Sequence, residues 1–162
     1  MGFFDTLMGT FLDDPDRKEK RFEESVMKKF PRKYFDIVKQ PSAKKDQERS
    51  TGRLHDPPCV LVYKPTKEEF AIECTYFPRM YPREILEFCT PDQFEHVKIY
   101  RETRKIPVYF IIGLGGVDNF GNEDLFIVPL ASVGKPVLSP DIFETYRKIP
   151  HNDFFWDRGQ LY

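Results

Sequence analysis

Cysteine is scarce in this 162-residue sequence and never occurs in closely spaced pairs. The three cysteines, Cys59, Cys74 and Cys89, lie in no C-x-x-C arrangement. Because a structural zinc site needs ligands at short, paired spacing, a zinc site made of these residues is not predicted. An odd number of isolated cysteines instead predicts reduced, mostly buried thiols in a cytoplasmic protein.

Long apolar runs are also missing. The most apolar stretch, from Val108 to Val117, is interrupted by glycines and is far shorter than the roughly 20 residues that cross a bilayer. Asp5 interrupts the apolar N-terminus, and no basic segment precedes it, so a cleavable signal is not predicted. The sequence therefore predicts no membrane span.

The chain has almost no excess of positive or negative charge, since its net charge is only −1. The balance is uneven along the chain, however, because residues 17–53 contain 13 Lys and Arg against 6 Asp and Glu. Such a basic stretch could meet phosphates. It could equally be the solvated face of a helix followed by an exposed loop, and charge alone does not decide between the two.

Apolar residues at helical spacing predict an amphipathic helix over residues 1–13, ahead of a single domain over residues 14–162. Such a helix must cover an apolar surface, on its own domain, on a partner subunit or on a membrane. The C-terminal tail, HNDFFWDRGQLY, is rich in aromatic residues and is expected to pack on the body of the protein. The terminal helix and the tail are also the two segments through which a homo-oligomer could form.

The pattern between these segments alternates helices and strands. The predicted elements are a helix from Asp14 to about Phe30, strands over Tyr34–Val38, Cys59–Tyr63 and Glu68–Phe77, a helix from Thr90 to about Lys105, strands over Val108–Leu114 and Leu125–Leu130, and a helix over Ser139–Arg147. The turn Lys64-Pro65-Thr66-Lys67 predicts that the second and third strands form an antiparallel hairpin.

The strand Glu68–Phe77 contains the first indication of a site. Side chains alternate along a strand, so Glu73 and Thr75 share a face with Ala71 and Phe77. A carboxylate in a buried strand is costly unless it is paired or binds a metal. Alternatively, Glu73 lies near a sheet edge and reaches water or a lysine.

Three further polar residues stand at informative positions. Glu23 falls inside the apolar arc of the first helix, where an acid needs a partner unless it only flanks the stripe and reaches solvent. Asp56 and Glu73 are about equally far from the hairpin turn, so the hairpin brings them together. Gln93 fits a capping box with Thr90, an arrangement that needs no catalytic role to explain it.

In order and spacing, the chain from about Glu19 to Leu130 resembles the PD-(D/E)XK, or restriction-endonuclease-like, superfamily. The stretches that carry the resemblance are Phe22-Glu23, His55-Asp56, Ile72-Glu73-Cys74-Thr75, Gln93 with Tyr100-Arg101, Pro107 to Gly116, and Leu125 to Leu130. The resemblance implies an α/β fold with a mixed sheet of four to five strands flanked by helices. It also implies a nuclease-type domain that hydrolyses DNA phosphodiesters with a divalent metal.

The same resemblance implies roles for individual residues. Asp56 and Glu73 would be ligands of Mg²⁺ or Mn²⁺, with DNA as the partner. Glu23 would be an accessory acid, and Gln93 would help to position the lysine of the motif or the DNA.

The sequence departs from the family pattern at two positions. His55 replaces a proline, which mainly shapes the backbone. Thr75 replaces the catalytic lysine, and a hydroxyl supplies no positive charge; Arg79 is the nearest cation that follows it. Whether the chain is an enzyme therefore stays open between a metal-dependent endonuclease and an inactive nuclease-fold module that binds nucleic acid or a protein partner. A pure interaction protein that uses the terminal helix and the tail is a third alternative.

Overall fold

The computed structural model describes residues 15–39, 58–77, 85–115 and 124–162. The predicted helix over residues 1–13, residues 40–53 of the basic stretch, Asp56 and Arg79 lie outside these ranges. Among the described helices, none is both long and apolar enough to cross a membrane.

The described elements follow the predicted order. The helices are α1 (Pro15–Lys28), α2 (Pro91–Arg104) and α3 (Pro140–Thr145). The strands are β1 (Phe35–Lys39), β2 (Cys59–Tyr63), β3 (Glu68–Phe77), β4 (Leu86–Glu87), β5 (Val108–Leu114), β6 (Asp124–Pro129), β7 (Val137–Leu138), β8 (Arg147–Lys148), β9 (Trp156–Asp157) and β10 (Gln160–Leu161).

Local sequence explains where α2 begins and ends. Thr90 is extended and its hydroxyl accepts a hydrogen bond from the backbone N–H of Gln93, while Pro91 opens the helix. At the other end Lys105 adopts a left-handed conformation with φ of 55°, and its N–H donates to the carbonyl of Arg101. The predicted start at Thr90 and the end at Lys105 are confirmed.

A six-stranded mixed sheet, in the order β1-β2-β3-β5-β6-β8, forms the centre of the molecule. The β2–β3 pair is the predicted antiparallel hairpin, β3 and β5 run parallel, and β5 and β6 run antiparallel. Helix α2 is the crossover between the two parallel strands, as such connections require. The predicted mixed sheet flanked by helices is confirmed.

Both faces of the sheet are covered by apolar layers, as the alternation along β3 predicts. Phe70, Ile72 and Tyr76 lie in the layer that contains the apolar side of α1 and the C-terminal tail. Ala71 and Phe77 lie in the layer that contains the apolar residues of α2 and α3. A polar side chain in the middle of β3 is therefore enclosed between a helix and the sheet.

The sequence missed the sixth strand. Arg147 was predicted to end the last helix, but α3 ends at Thr145 and Arg147 begins β8, which pairs with Phe126 on β6. The guanidinium bonds both Glu144 and Asp124 and lies over the Phe126 ring, 5.0 Å from its centroid. Together with the hydrogen bond from the Ile127 N–H to the Tyr146 carbonyl, these contacts join this segment to the edge of the sheet.

The tail packs on the body of the protein, as predicted. Phe154, Trp156 and Leu161 are buried in the layer around α1. The Trp156 ring stacks on Phe70 at 4.6 Å between centroids, and its Nε1–H donates to Glu68 Oε2 at 2.8 Å. Oligomerisation through the tail stays a prediction, since these aromatic residues are used within the chain itself.

Candidate functional site

Two of the predicted site residues, Glu73 and Gln93, are joined by a hydrogen bond. Gln93, in the first turn of α2, donates its Nε2–H to Glu73 Oε1 at 2.9 Å, and both side chains are half-buried. The predicted capping box is therefore made only in part, because Thr90 accepts from Gln93 N while the Gln93 side chain turns to the sheet. Holding the Glu73 carboxylate, and not capping alone, accounts for the Gln93 side chain.

The pairing of β3 changes immediately before Glu73. The last residue of β3 that pairs with β2 is Ile72, opposite Cys59, whereas pairing with β5 continues to Phe77. Glu73 is thus the first residue of β3 beyond the end of the described β2 ladder. At this point Glu73 accepts a hydrogen bond from Gln93, and the alternative of a sheet-edge position stays a prediction.

Thr75 lies two residues further along the same face and pairs with Ile112 of β5. Its side chain is half-buried, so this position beside Glu73 carries a hydroxyl and no charge. Lys64 does not take the place of the lysine of the motif, because its ammonium bonds Asp36 at 3.1 Å and the Arg32 carbonyl at 2.6 Å at the far end of the hairpin.

Glu23 belongs to α1, which packs on the face of the sheet opposite to that of Glu73. Its neighbour Phe22 is fully buried in the α1 layer, and Glu23 itself is half-buried. Burial, followed by the charges of Glu23 and Glu73, raises the pKa of the Cys59 thiol to about 12. Burial, followed by the charges of Glu23 and Glu73, also raises the pKa of Cys74. Two carboxylates on different elements therefore act on the same two thiols.

The raised pKa values also show that the cysteine thiols are poor nucleophiles. Burial is the largest cause of the raised pKa of Cys59, Cys74 and Cys89, and the three thiols are free. A thiol with a pKa near 12 is protonated at neutral pH and is a poor nucleophile. The prediction of reduced, mostly buried cysteines agrees with this arrangement.

Sequence reasoning missed a third acid near this point. Glu19 lies one helical turn before Glu23, and its charge also contributes to the raised pKa of Cys74. The i, i+4 spacing of Glu19 and Glu23 was the available signal. Within the described ranges, no three His, Cys, Asp or Glu side chains are grouped closely enough to bind a metal ion. Asp56, the predicted second ligand, lies outside those ranges.

The opposite flank of α1 lines an open groove of about 530 Å³. Its lining contains mostly charged or polar side chains, namely Arg21, Glu24, Ser25, Lys28, Lys29, His151 and Asp153, together with Pro150. The Lys29 ammonium donates to the Pro150 carbonyl, which joins α1 to the tail. The Ser25 hydroxyl is buried and has no hydrogen-bond partner among the described residues.

Comparison with known proteins gives a fold and no close relative. No protein-family model and no curated protein matches the chain. Among solved structures, the chain is similar to Archaeoglobus fulgidus Hjc, a Holliday junction resolvase, with a TM-score of 0.54 and 13% sequence identity. The match covers 81% of this chain and 96% of the resolvase. The chain thus has the restriction-endonuclease-like fold, and the predicted fold is confirmed.

Proposed function

We propose that this chain is a nuclease-type domain that acts on DNA phosphodiesters with the help of a divalent cation bound at Glu73. The hydrogen bond between Gln93 and Glu73 carries the proposal. It links a carboxylate in the middle of a sheet strand to a glutamine at the start of the crossover helix. A half-buried carboxylate that is oriented by a neighbouring donor is typical of a metal ligand.

The donor set fits Mg²⁺ or Mn²⁺. Both cations prefer oxygen ligands, and carboxylates are the commonest protein ligands of Mg²⁺. Glu73 and Asp56 would hold the ion, and Glu23 would be an accessory acid on the opposite side of the β2 end. When bound, the cation would supply an activated water and neutralise the charge that develops on the phosphate.

Gln93 and the apolar layers around β3 orient the Glu73 carboxylate and favour cation binding by it. Gln93 restricts the rotation of the Glu73 carboxylate through its Nε2–H. The apolar layers on both faces of β3 lower the local dielectric and strengthen the attraction between a carboxylate and a cation. Thr75 supplies no positive charge to a phosphate, so we propose weak catalysis by the natural sequence.

Replacing Gln93 tests the orientation of Glu73. We expect Gln93→Ala to weaken Mn²⁺ binding about 10- to 100-fold, the range seen when a residue that orients a metal ligand is removed. Isothermal titration with Mn²⁺ measures the effect. Glu102→Gln is the matched control, because Glu102 is an exposed residue of the same helix and should leave the affinity unchanged. Equal affinity in the natural protein and Gln93→Ala would show that the hydrogen bond has no part in cation binding.

DNA is the proposed partner on the evidence of charge. The described part of the basic stretch, residues 17–39, has nine Lys and Arg against four Asp and Glu, and some of these cations line the groove on α1. Such a surface can neutralise phosphates and release their counterions.

DNA binding should therefore depend steeply on salt. We expect the affinity for a DNA duplex to fall at least about tenfold between 50 and 200 mM NaCl, as release of several counterions requires. Fluorescence anisotropy at a series of salt concentrations measures the slope. The double variant Arg21→Ala/Lys28→Ala should have a shallower slope. An affinity that is independent of salt, or no binding at 50 mM, would remove DNA as a partner.

The experiment that tests the proposed function is cleavage of DNA in the presence of Mn²⁺. The natural protein should give slow cleavage that needs the cation and is lost in Glu73→Gln. Cleavage that is unchanged in Glu73→Gln would contradict the assignment of Glu73.

A further inference from the structure

Gly113 leaves room on the sheet for the Phe22 side chain of α1. The glycine lies inside β5, between Tyr76 of β3 and Leu125 of β6. A Cβ added at this position would lie 2.5 Å from Cε2 of Phe22, 2.8 Å from Cζ and 3.0 Å from Cδ2. Carbon atoms do not approach so closely without repulsion, and the ring is fully buried. The Phe22 ring therefore occupies space that any other residue at position 113 would fill.

This role differs from that of Gly115, which lets the backbone turn at the end of β5 with φ of +75°. Gly113, in contrast, is paired within β5. Because Gly113 has no side chain, the Phe22 ring of α1 can approach β5 closely.

The ring of Phe22 is fixed from a second side. It stacks on Tyr76, with 5.4 Å between ring centroids and 29° between planes. The Tyr76 hydroxyl donates to the Gly115 carbonyl at 2.6 Å, so the tyrosine is anchored to the end of β5. Phe22 thus rests on β3 and β5 three residues beyond Glu73, and the next residue of α1 is Glu23.

We propose that Gly113 is a positioning residue for Glu23, and that it sets the distance of this carboxylate from Glu73 by seating Phe22. The inference rests on the proposed function, in which Glu23 assists the cation site. The position of a helix side chain follows that of its neighbours, because the helix moves as a rigid rod over one turn. A methyl group at position 113 would displace α1 or rotate the Phe22 ring, and Glu23 would move away from the end of β2.

A size exchange tests the proposal. Mn²⁺ affinity and thermal stability are measured for the natural protein, Gly113→Ala, Gly113→Ala/Phe22→Leu and Gly134→Ala. In the double variant, the smaller Leu side chain at position 22 leaves room for the methyl group added at position 113. Gly134→Ala is the matched control, since a Cβ at Gly134 meets no atom within 4 Å.

We expect Gly113→Ala to bind Mn²⁺ about 10- to 100-fold more weakly, as for other residues that orient a metal site. The double variant should recover most of that loss, and Gly134→Ala should bind like the natural protein. If Gly113→Ala lowers the melting temperature but binds Mn²⁺ with natural affinity, Gly113 is only structural and the proposal is wrong.

Crystal structures separate this inference from the proposed function. If the natural protein binds no Mn²⁺, the proposed cation site fails. The distance between the Glu23 and Glu73 carboxylates in the natural protein and in Gly113→Ala still decides the positioning claim. A longer distance in Gly113→Ala, restored in the double variant, supports the claim, and an unchanged distance overturns it. If Gly113→Ala does not fold, Mn²⁺ affinity and the distance between the Glu23 and Glu73 carboxylates are measured in Phe22→Leu instead. We expect weaker Mn²⁺ binding and a longer distance in this variant. An unchanged distance would contradict the claim.

Discussion

The substitution Thr75→Lys is expected to raise metal-dependent cleavage of DNA by about 100-fold or more, since one well-placed electrostatic contact is worth that factor in rate. Thr75 is half-buried and lies two residues beyond Glu73 on the same face of β3. A lysine at this position would direct its stem along the sheet and its ammonium towards the phosphate. Single-turnover cleavage of a labelled duplex with Mn²⁺ measures the gain.

Two further variants make this result specific. Thr75→Val keeps the shape of the natural side chain without the hydroxyl, and it should cleave no faster than the natural protein. Glu73→Gln in the Thr75→Lys background should remove the gained activity. If Thr75→Lys binds Mn²⁺ and DNA but cleaves no faster, the missing lysine does not limit the reaction, and the alternative of an inactive nucleic-acid-binding module is favoured.

Replacing Trp156 with alanine is expected to lower the free energy of unfolding by about 3 to 5 kcal/mol, the usual cost of removing a large buried aromatic side chain. The indole stacks on Phe70 and meets Tyr109 edge to face, with 6.2 Å between the latter centroids. It also donates to Glu68. Urea denaturation followed by circular dichroism measures the loss.

Neighbouring positions supply the controls for Trp156. Phe155 is 57% exposed, so Phe155→Ala should change the free energy of unfolding far less. Trp156→Phe keeps a ring against Phe70 but loses the N–H donor, and its loss should lie between those of the other two variants. Equal stability of Trp156→Ala and Phe155→Ala would show that the tail is not part of the folded core.

The central strand could be read from the sequence because its information is local. Alternation along β3 places Phe70 and Ile72 on one face and Ala71 and Glu73 on the other, and the two apolar layers agree with this division. The start of α2 was equally readable, because Thr90 and Pro91 act on the backbone within one turn. Residues whose structure is fixed by near neighbours were predicted correctly.

Residues whose structure depends on distant parts of the chain were not. Arg147 pairs with Phe126 on β6, 21 residues earlier in the sequence, and its guanidinium also donates to Asp124. Gly113 is needed because Phe22, 91 residues earlier in the sequence, packs against it. The side chain of Gln93 turns from its cap to Glu73, 20 residues earlier in the sequence. Patterns of neighbouring residues carry no information about contacts between residues so far apart in the sequence.

The most direct test of the central claim is the position of Mn²⁺ in crystals soaked with that ion, located by its anomalous scattering. We expect a peak within about 2.0 to 2.6 Å of a Glu73 carboxylate oxygen, the range of bonds from hard cations to oxygen. The peak should be lost in Glu73→Gln and retained in Glu102→Gln. A crystal saturated with Mn²⁺ that binds the ion elsewhere, or not at all, would contradict the assignment of Glu73 as a metal ligand.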